Sequence, residues 1–196
     1  IRHLKGEDLK NAIPDKIYIS LKDMRILTKV DMLMLEMLAN CNWERPLYMA
    51  ISVGEVSKLK FDHYFVQEGL AFRFTPFDYK KWGNVKGDNN YAIDVERLYE
   101  NVMNRYKYGG LDTPGLYLDE TTLRTCYYHR RLFAQLAKEL IRQGDNTLAR
   151  KVLAYAEQAV PAYNVPEIYE SGSFDIAKTY AALGEKTKAM PLLKYL

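Results

Sequence analysis

Few residues of this 196-residue chain have the type and spacing for acid–base chemistry. Asp119 and Glu120 are adjacent, with Asp112 a few positions earlier. Glycoside chemistry needs two facing carboxylates, one to protonate the leaving group and one to attack or activate water. The same pair, however, stands just before Thr121 at the head of a helical run, where an acidic side chain accepts the free N–H groups of the first turn. Capping is the reading the sequence favours. His3, His63 and His129 are scattered, and only His63 has a ligand-type neighbour, Asp62. None has a second ligand at the spacing that puts two on one helix face, so no metal is expected. Cys41 and Cys126 lack the paired spacing of a zinc or redox motif and read as buried small apolar residues. Gly83 with Gly87, and Gly109 with Gly110, do not form a phosphate cradle, and Ser52 in "ISVGE" lacks the glycines of a nucleophile elbow. No catalytic residue and no cofactor is assigned to this chain.

The composition is that of a soluble, packed protein, with 48% hydrophobic and 27% charged residues. A net charge of +3 spread along the chain is unlike the clustered stripe of a nucleic-acid binder, and nucleic acid is not expected as a partner. The best apolar run, Met32 to Ala39, is interrupted by Glu36 and falls well short of the ~18 residues that read as a membrane span. The chain opens at Ile1 without an initiator Met or signal-peptide pattern and stops inside an expected helix, so it reads as an excised fragment.

The elements that would position any site begin with an α/β rhythm. Ile17-Tyr18-Ile19 reads as a strand, and Thr28 with Asp31 reads as a variant capping box. Val30, Leu33, Met34, Met37 and Leu38 then fall at helical spacing on one face, with Met24, Met32, Met34 and Met37 as core filler. "PLYMAISVG" from Pro46 suits a strand buried on both faces, and a strand, helix and strand at this spacing predict a right-handed crossover with parallel strands. Leu70 to Thr75 alternates like a strand with one face on the core. Lys80 to Tyr91 reads as an exposed loop, and Asp94 opens a helix with Val95, Leu98, Tyr99, Val102 and Tyr106 as its stripe.

Near the C-terminus two stretches repeat a pattern, aligning Gly144 with Gly184, Ala149 with Ala189 and Leu153 with Leu193. Such self-similarity marks a tetratricopeptide-like helical-hairpin array. Phe133, Leu136, Ala137 and Leu140 form the inner face of the first helix, and Pro161 stops the second. The offset of forty residues exceeds the ~34 of a standard unit, and Ser173 occupies a slot where a large apolar residue belongs. The expected fold is therefore an α/β (or α+β) unit with a small, partly parallel sheet over residues 1–120. A tetratricopeptide-like array follows over 121–196, with hairpins at about 122–161 and 168–196, the last truncated.

Sixteen Tyr and two Trp are the compositional excess. Tyr106, Tyr108, Tyr117, Tyr127 and Tyr128 crowd the expected junction, where a Tyr-rich packing seam is the first reading and an exposed interface the second. A hairpin groove would be lined by Arg131, Gln135 and Lys138, and exposed aromatics such as Trp43, Trp82 and Tyr108 could hold a carbohydrate. With Arg45, these are the candidate partner-binding residues.

Three segments, "NCNWERPLYMAISVG" (Asn40 to Gly54), "HYFVQEGLAFRFTP" (His63 to Pro76) and "GLYLDE" (Gly115 to Glu120), occur in this order ahead of the hairpins. Together they resemble the C-terminal soluble part of a family of multi-pass membrane proteins of Bacteroidetes. The membrane half of that family is similar to glycosyltransferases that use lipid-linked sugars, such as protein O-mannosyltransferases. The resemblance implies that transfer chemistry belongs to an upstream membrane region. It further implies that this portion is an extracytoplasmic, periplasm-facing accessory domain whose partners are the membrane half of the same polypeptide, an acceptor protein or a glycan. A stand-alone peptide-binding adaptor is the alternative.

Overall fold

A computed structural model of the chain describes residues 14–22, 25–53, 62–79 and 91–194. They fall into two compact units, one within residues 1–94 and the other within 95–196. The protein is mixed α/β, with six α-helices and a four-stranded sheet among the described residues.

In the first unit, helix α1 (Lys29–Asn40) starts at the expected box: Thr28 Oγ1 accepts from Asp31 N–H, and Asp31 accepts from Thr28 N–H at 2.9 Å. Thr28→Ala is expected to cost about 1 kcal/mol, read as a lower urea midpoint of this unit. The strands are β1 (Tyr48–Ala50), β2 (Phe65–Gln67), β3 (Ala71–Phe74) and β4 (Ala92–Ile93), in the order β1-β3-β2-β4. Tyr64, Phe65, Phe72 and Phe74 form the core with Met34, Leu35 and Leu38 of α1 packed against them. Val66, Tyr79 and Ala92 make a second small cluster.

Several expectations change here. The parallel crossover through α1 is not formed, because β1 pairs antiparallel with β3, and the one parallel pairing joins β2 to β4. Ile17 and Ile19 pack on the core without entering a ladder, and Tyr18 turns outward, so the alternation is that of a strand but none of the described residues pairs with it. "PLYMAISVG" yields a three-residue edge strand with Tyr48 half exposed, then a 3-10 turn at Ile51–Val53, rather than a strand buried on both faces. The face of α1 is also rotated from its expected position. Asp31, Met34, Leu35 and Leu38 turn inward while Val30, Leu33 and Met37 are exposed. Met32 and Met37 are therefore not core filler, and Met24 and the loop at 80–90 lie outside the described residues. β3 does place Phe72 and Phe74 on the core and Ala71 and Arg73 on the other face.

The second unit is helical. Helix α2 (Val95–Glu100) buries Leu98 and runs into a π-turn at Asn101–Arg105, closed by Tyr106 N–H donating to Asn101 O at 2.8 Å. Two helix pairs follow, α3 (Glu120–Arg142) with α4 (Asn146–Ala159), and α5 (Ser173–Ala182) with α6 (Lys186–Lys194). Their turns share one hydrogen-bond pattern. Gly144 and Gly184 take left-handed backbone, and Asp145 N–H reaches Leu140 O at 2.9 Å as Glu185 N–H reaches Tyr180 O at 3.0 Å. This six-to-one closure satisfies carbonyls the helix leaves free, and it needs a residue tolerant of positive φ. Phe133, Leu136, Ala137, Ala149, Val152 and Leu153 are almost fully buried between α3 and α4.

Candidate partner-binding surface

From Cys126 onward α3 buries most of its apolar side chains, and the residues it leaves exposed there, Arg131, Lys138 and Arg142, fall along one edge. Arg131 and Lys138 are exposed with Gln135 half-buried between them, at the i, i+4, i+7 spacing that keeps side chains on one helix edge. α5 lies alongside and runs the same way, since Arg130 and Arg131 meet its start while Arg150, early in the intervening antiparallel α4, reaches Leu183 O and Glu185 at its end. The contact is close at Gly172, whose backbone has φ +84°. A Cβ there would stand 2.7 Å from Arg131 Cγ and 3.1 Å from Arg131 N.

Beneath this edge lies a buried cation. Arg130 is 5% exposed and donates to Pro166 O at 2.9 Å, Val160 O at 3.2 Å, Val165 O at 2.7 Å, Ser171 Oγ at 3.0 Å and Ser173 Oγ at 3.3 Å. No carboxylate is in ion-pair range among the described residues. Burial pulls its pKa down, and Glu167, Tyr127 and Cys126 oppose that. A guanidinium holds its proton at any ordinary pH. Ser173, out of place as a repeat residue, is therefore a ligand of this cation, and Arg130 ties the α4–α5 connection to the middle of α3.

The other expected site residues separate. Trp43 is half exposed and stacks one face on Phe74 at 5.2 Å, and its neighbour Arg45 is exposed. Trp82 lies outside the described residues. Tyr108 is a packing residue: its ring meets His129, Phe133 and Tyr155, its hydroxyl donates to Val102 O at 2.6 Å, and burial pushes its pKa up. Asp119 caps α3 by accepting from Thr121 and Thr122, and Glu120 pairs with Arg124. That pair is thus occupied in starting the helix. Sequence reasoning missed Arg130, Ser171, Gly172 and the surface residues Tyr169, Phe174 and Lys178. Arg130 carried a signal, being three residues before the inward Phe133 and so on the apolar face.

His129 sits edge-on to Tyr106 and Tyr108, and its buried Nδ1 has no hydrogen-bond partner among the described residues. Burial lowers its pKa. The unfolded chain then binds the proton more readily, so stability is lost as pH falls through the unfolded value of about 6.5 and levels off below the folded one. His129→Phe is expected to abolish that loss. Urea midpoints between pH 7 and pH 5 should fall less in the variant than in the parent.

The molecule so described is a two-unit chain, a small mixed sheet with one helix and a stack of helical pairs. Residues 2–96 match the family model of TMEM260-associated domain 2, which points to a TMEM260-like, membrane-protein-related family. No curated protein and no solved structure matches the chain. No helix among the described residues is long and apolar enough to cross a membrane.

Proposed function

We propose that this chain is a non-catalytic, extracytoplasmic accessory domain of a membrane glycosyltransferase-like protein, holding the membrane half or an acceptor polypeptide. The observation that carries this reading is the match of residues 2–96 to a TMEM260-associated domain, with helical pairs following it. Those pairs fit a tetratricopeptide-like stack, in which each hairpin covers its apolar face only against the next and leaves helix edges for partners. The equal turns at Gly144 and Gly184 support it. The O-mannosyltransferase-like character of the membrane half rests on the sequence resemblance. The parental reading frame upstream of Ile1 tests the proposal: several apolar spans are expected, and a frame without them excludes it.

A stand-alone peptide-binding adaptor is the second reading, favoured by the exposed line Arg131, Gln135 and Lys138. Carbohydrate binding retains the free face of Trp43 as its basis and loses Tyr108, whose ring and hydroxyl are engaged.

A further inference from the structure

We infer that the edge formed by α3 and α5 binds an extended acidic segment of polypeptide, with carboxylates about three residues apart. This rests on the reading of that edge as a partner surface and specifies the partner's chemistry. Arg131, Lys138 and Lys178 are exposed, and none has a carboxylate in ion-pair range among the described residues. Of the other surface cations on α3, Arg124 pairs with Glu120 and Arg142 with Glu139, and on the neighbouring helices Arg150 pairs with Glu185 and Lys188 with Glu157. Positive charge without an ion-pair partner among the described residues thus lies along this edge at Arg131, Lys138 and Lys178.

Aromatic rings hold two of these cations. The Arg131 guanidinium lies 5.8 Å from the Tyr128 ring and the Lys178 ammonium 4.2 Å from the Phe174 ring, which Tyr169 in turn faces at 5.3 Å. A cation restrained over a ring loses less side-chain freedom when it captures an anion. The spacing also matches. Arg131 and Lys138 are separated by about 10 Å along the axis at ~1.5 Å per residue, close to the span of three residues of an extended polyproline-II segment at ~3.1 Å each, whose three-fold period keeps every third side chain on one face. Gln135 between them offers both a donor and an acceptor to a peptide backbone. Exposed Glu170 and Asp175 border the edge. They would repel a uniform polyanion such as a sulfated glycan, and they tolerate a polypeptide that presents N–H groups between its acids.

The test titrates the whole chain with a labelled peptide bearing glutamate at every third position, beside its glutamine counterpart and a sulfated oligosaccharide. The glutamate peptide is expected to bind at least about tenfold tighter than the glutamine one and to weaken with salt. Lys138→Glu with Lys178→Glu should weaken it about tenfold while the melting temperature stays unchanged. Equal binding of the two peptides would overturn the acidic assignment and leave a partner surface standing. Tighter binding of the oligosaccharide would overturn it in favour of a polyanion. No binding of any probe would overturn it outright, and the wider reading of an accessory domain would then be judged by its own reading-frame test.

Discussion

Gly172→Ala is expected to lower the melting temperature of the helical unit by roughly 10–20 °C, whereas Gly144→Ala should lower it by a fraction of that. Both glycines have positive φ, so both substitutions carry the left-handed penalty of about 1–2 kcal/mol. They differ in what surrounds them. A Cβ at Gly144 meets nothing within 4 Å, while one at Gly172 meets the side chain and the backbone of Arg131. The Arg131 side chain has rotamers to move into, but its N and Cα belong to the middle of α3. Overpacking against an immovable neighbour adds about 1–3 kcal/mol, for a total of about 2–5 kcal/mol. Melting followed by helical circular dichroism reads the difference. Equal losses for the two variants would mean that α5 does not cross α3 at Gly172.

Arg130→Met has the other large expected effect, a loss of about 3–5 kcal/mol. Two opposing effects decide it. Removing a buried charge relieves its desolvation cost, and methionine would fill much of the same volume. Against that, the carbonyls of Val160, Val165 and Pro166 lose a donor inside the fold, each worth about 1–3 kcal/mol when left unsatisfied. The serines contribute less, because Ser171 and Ser173 still bond each other at 2.8 Å and Ser171 still donates to Ile168 O. Three orphaned carbonyls outweigh the relief. Arg130→Lys should fall between, since an ammonium keeps the charge but lacks the planar fork that reaches several acceptors at once. Urea unfolding should rank parent, lysine variant and methionine variant in falling order. A methionine variant within about 1 kcal/mol of the parent would show that the carbonyls find other donors.

Helix punctuation was the most legible layer of this sequence. The Thr28–Asp31 box, the Asp119 cap and the two turn glycines each act through one or two neighbours in the chain, so local residue types suffice to find them. The sheet was less legible. β2 and β4 are three and two residues long, too short for a period to show, and whether β1 pairs with β2 or β3 depends on contacts that no local pattern records. The stripe of α1 was found at the right period and assigned too broadly, because spacing gives a helix its apolar arc but not which part of the arc is covered. For the surface, the spacing of Arg131, Gln135 and Lys138 could be read from the chain, while Lys178 joins them only through the parallel packing of α5 on α3. Ser173 departs from the repeat pattern because its hydroxyl accepts from Arg130, a partner 43 positions away that no local pattern shows.

Of the two proposed holding roles, membrane half or acceptor polypeptide, the first is open to a direct experiment, which is to sever the chain from the membrane half of its own polypeptide. A specific protease site placed just before Ile1 in the full-length protein, purified in detergent, would allow the link to be cut after folding. If the chain holds the membrane half, the released chain still co-migrates with it on size exclusion. A chain that elutes by itself, folded and at its own size, would contradict a hold on the membrane half.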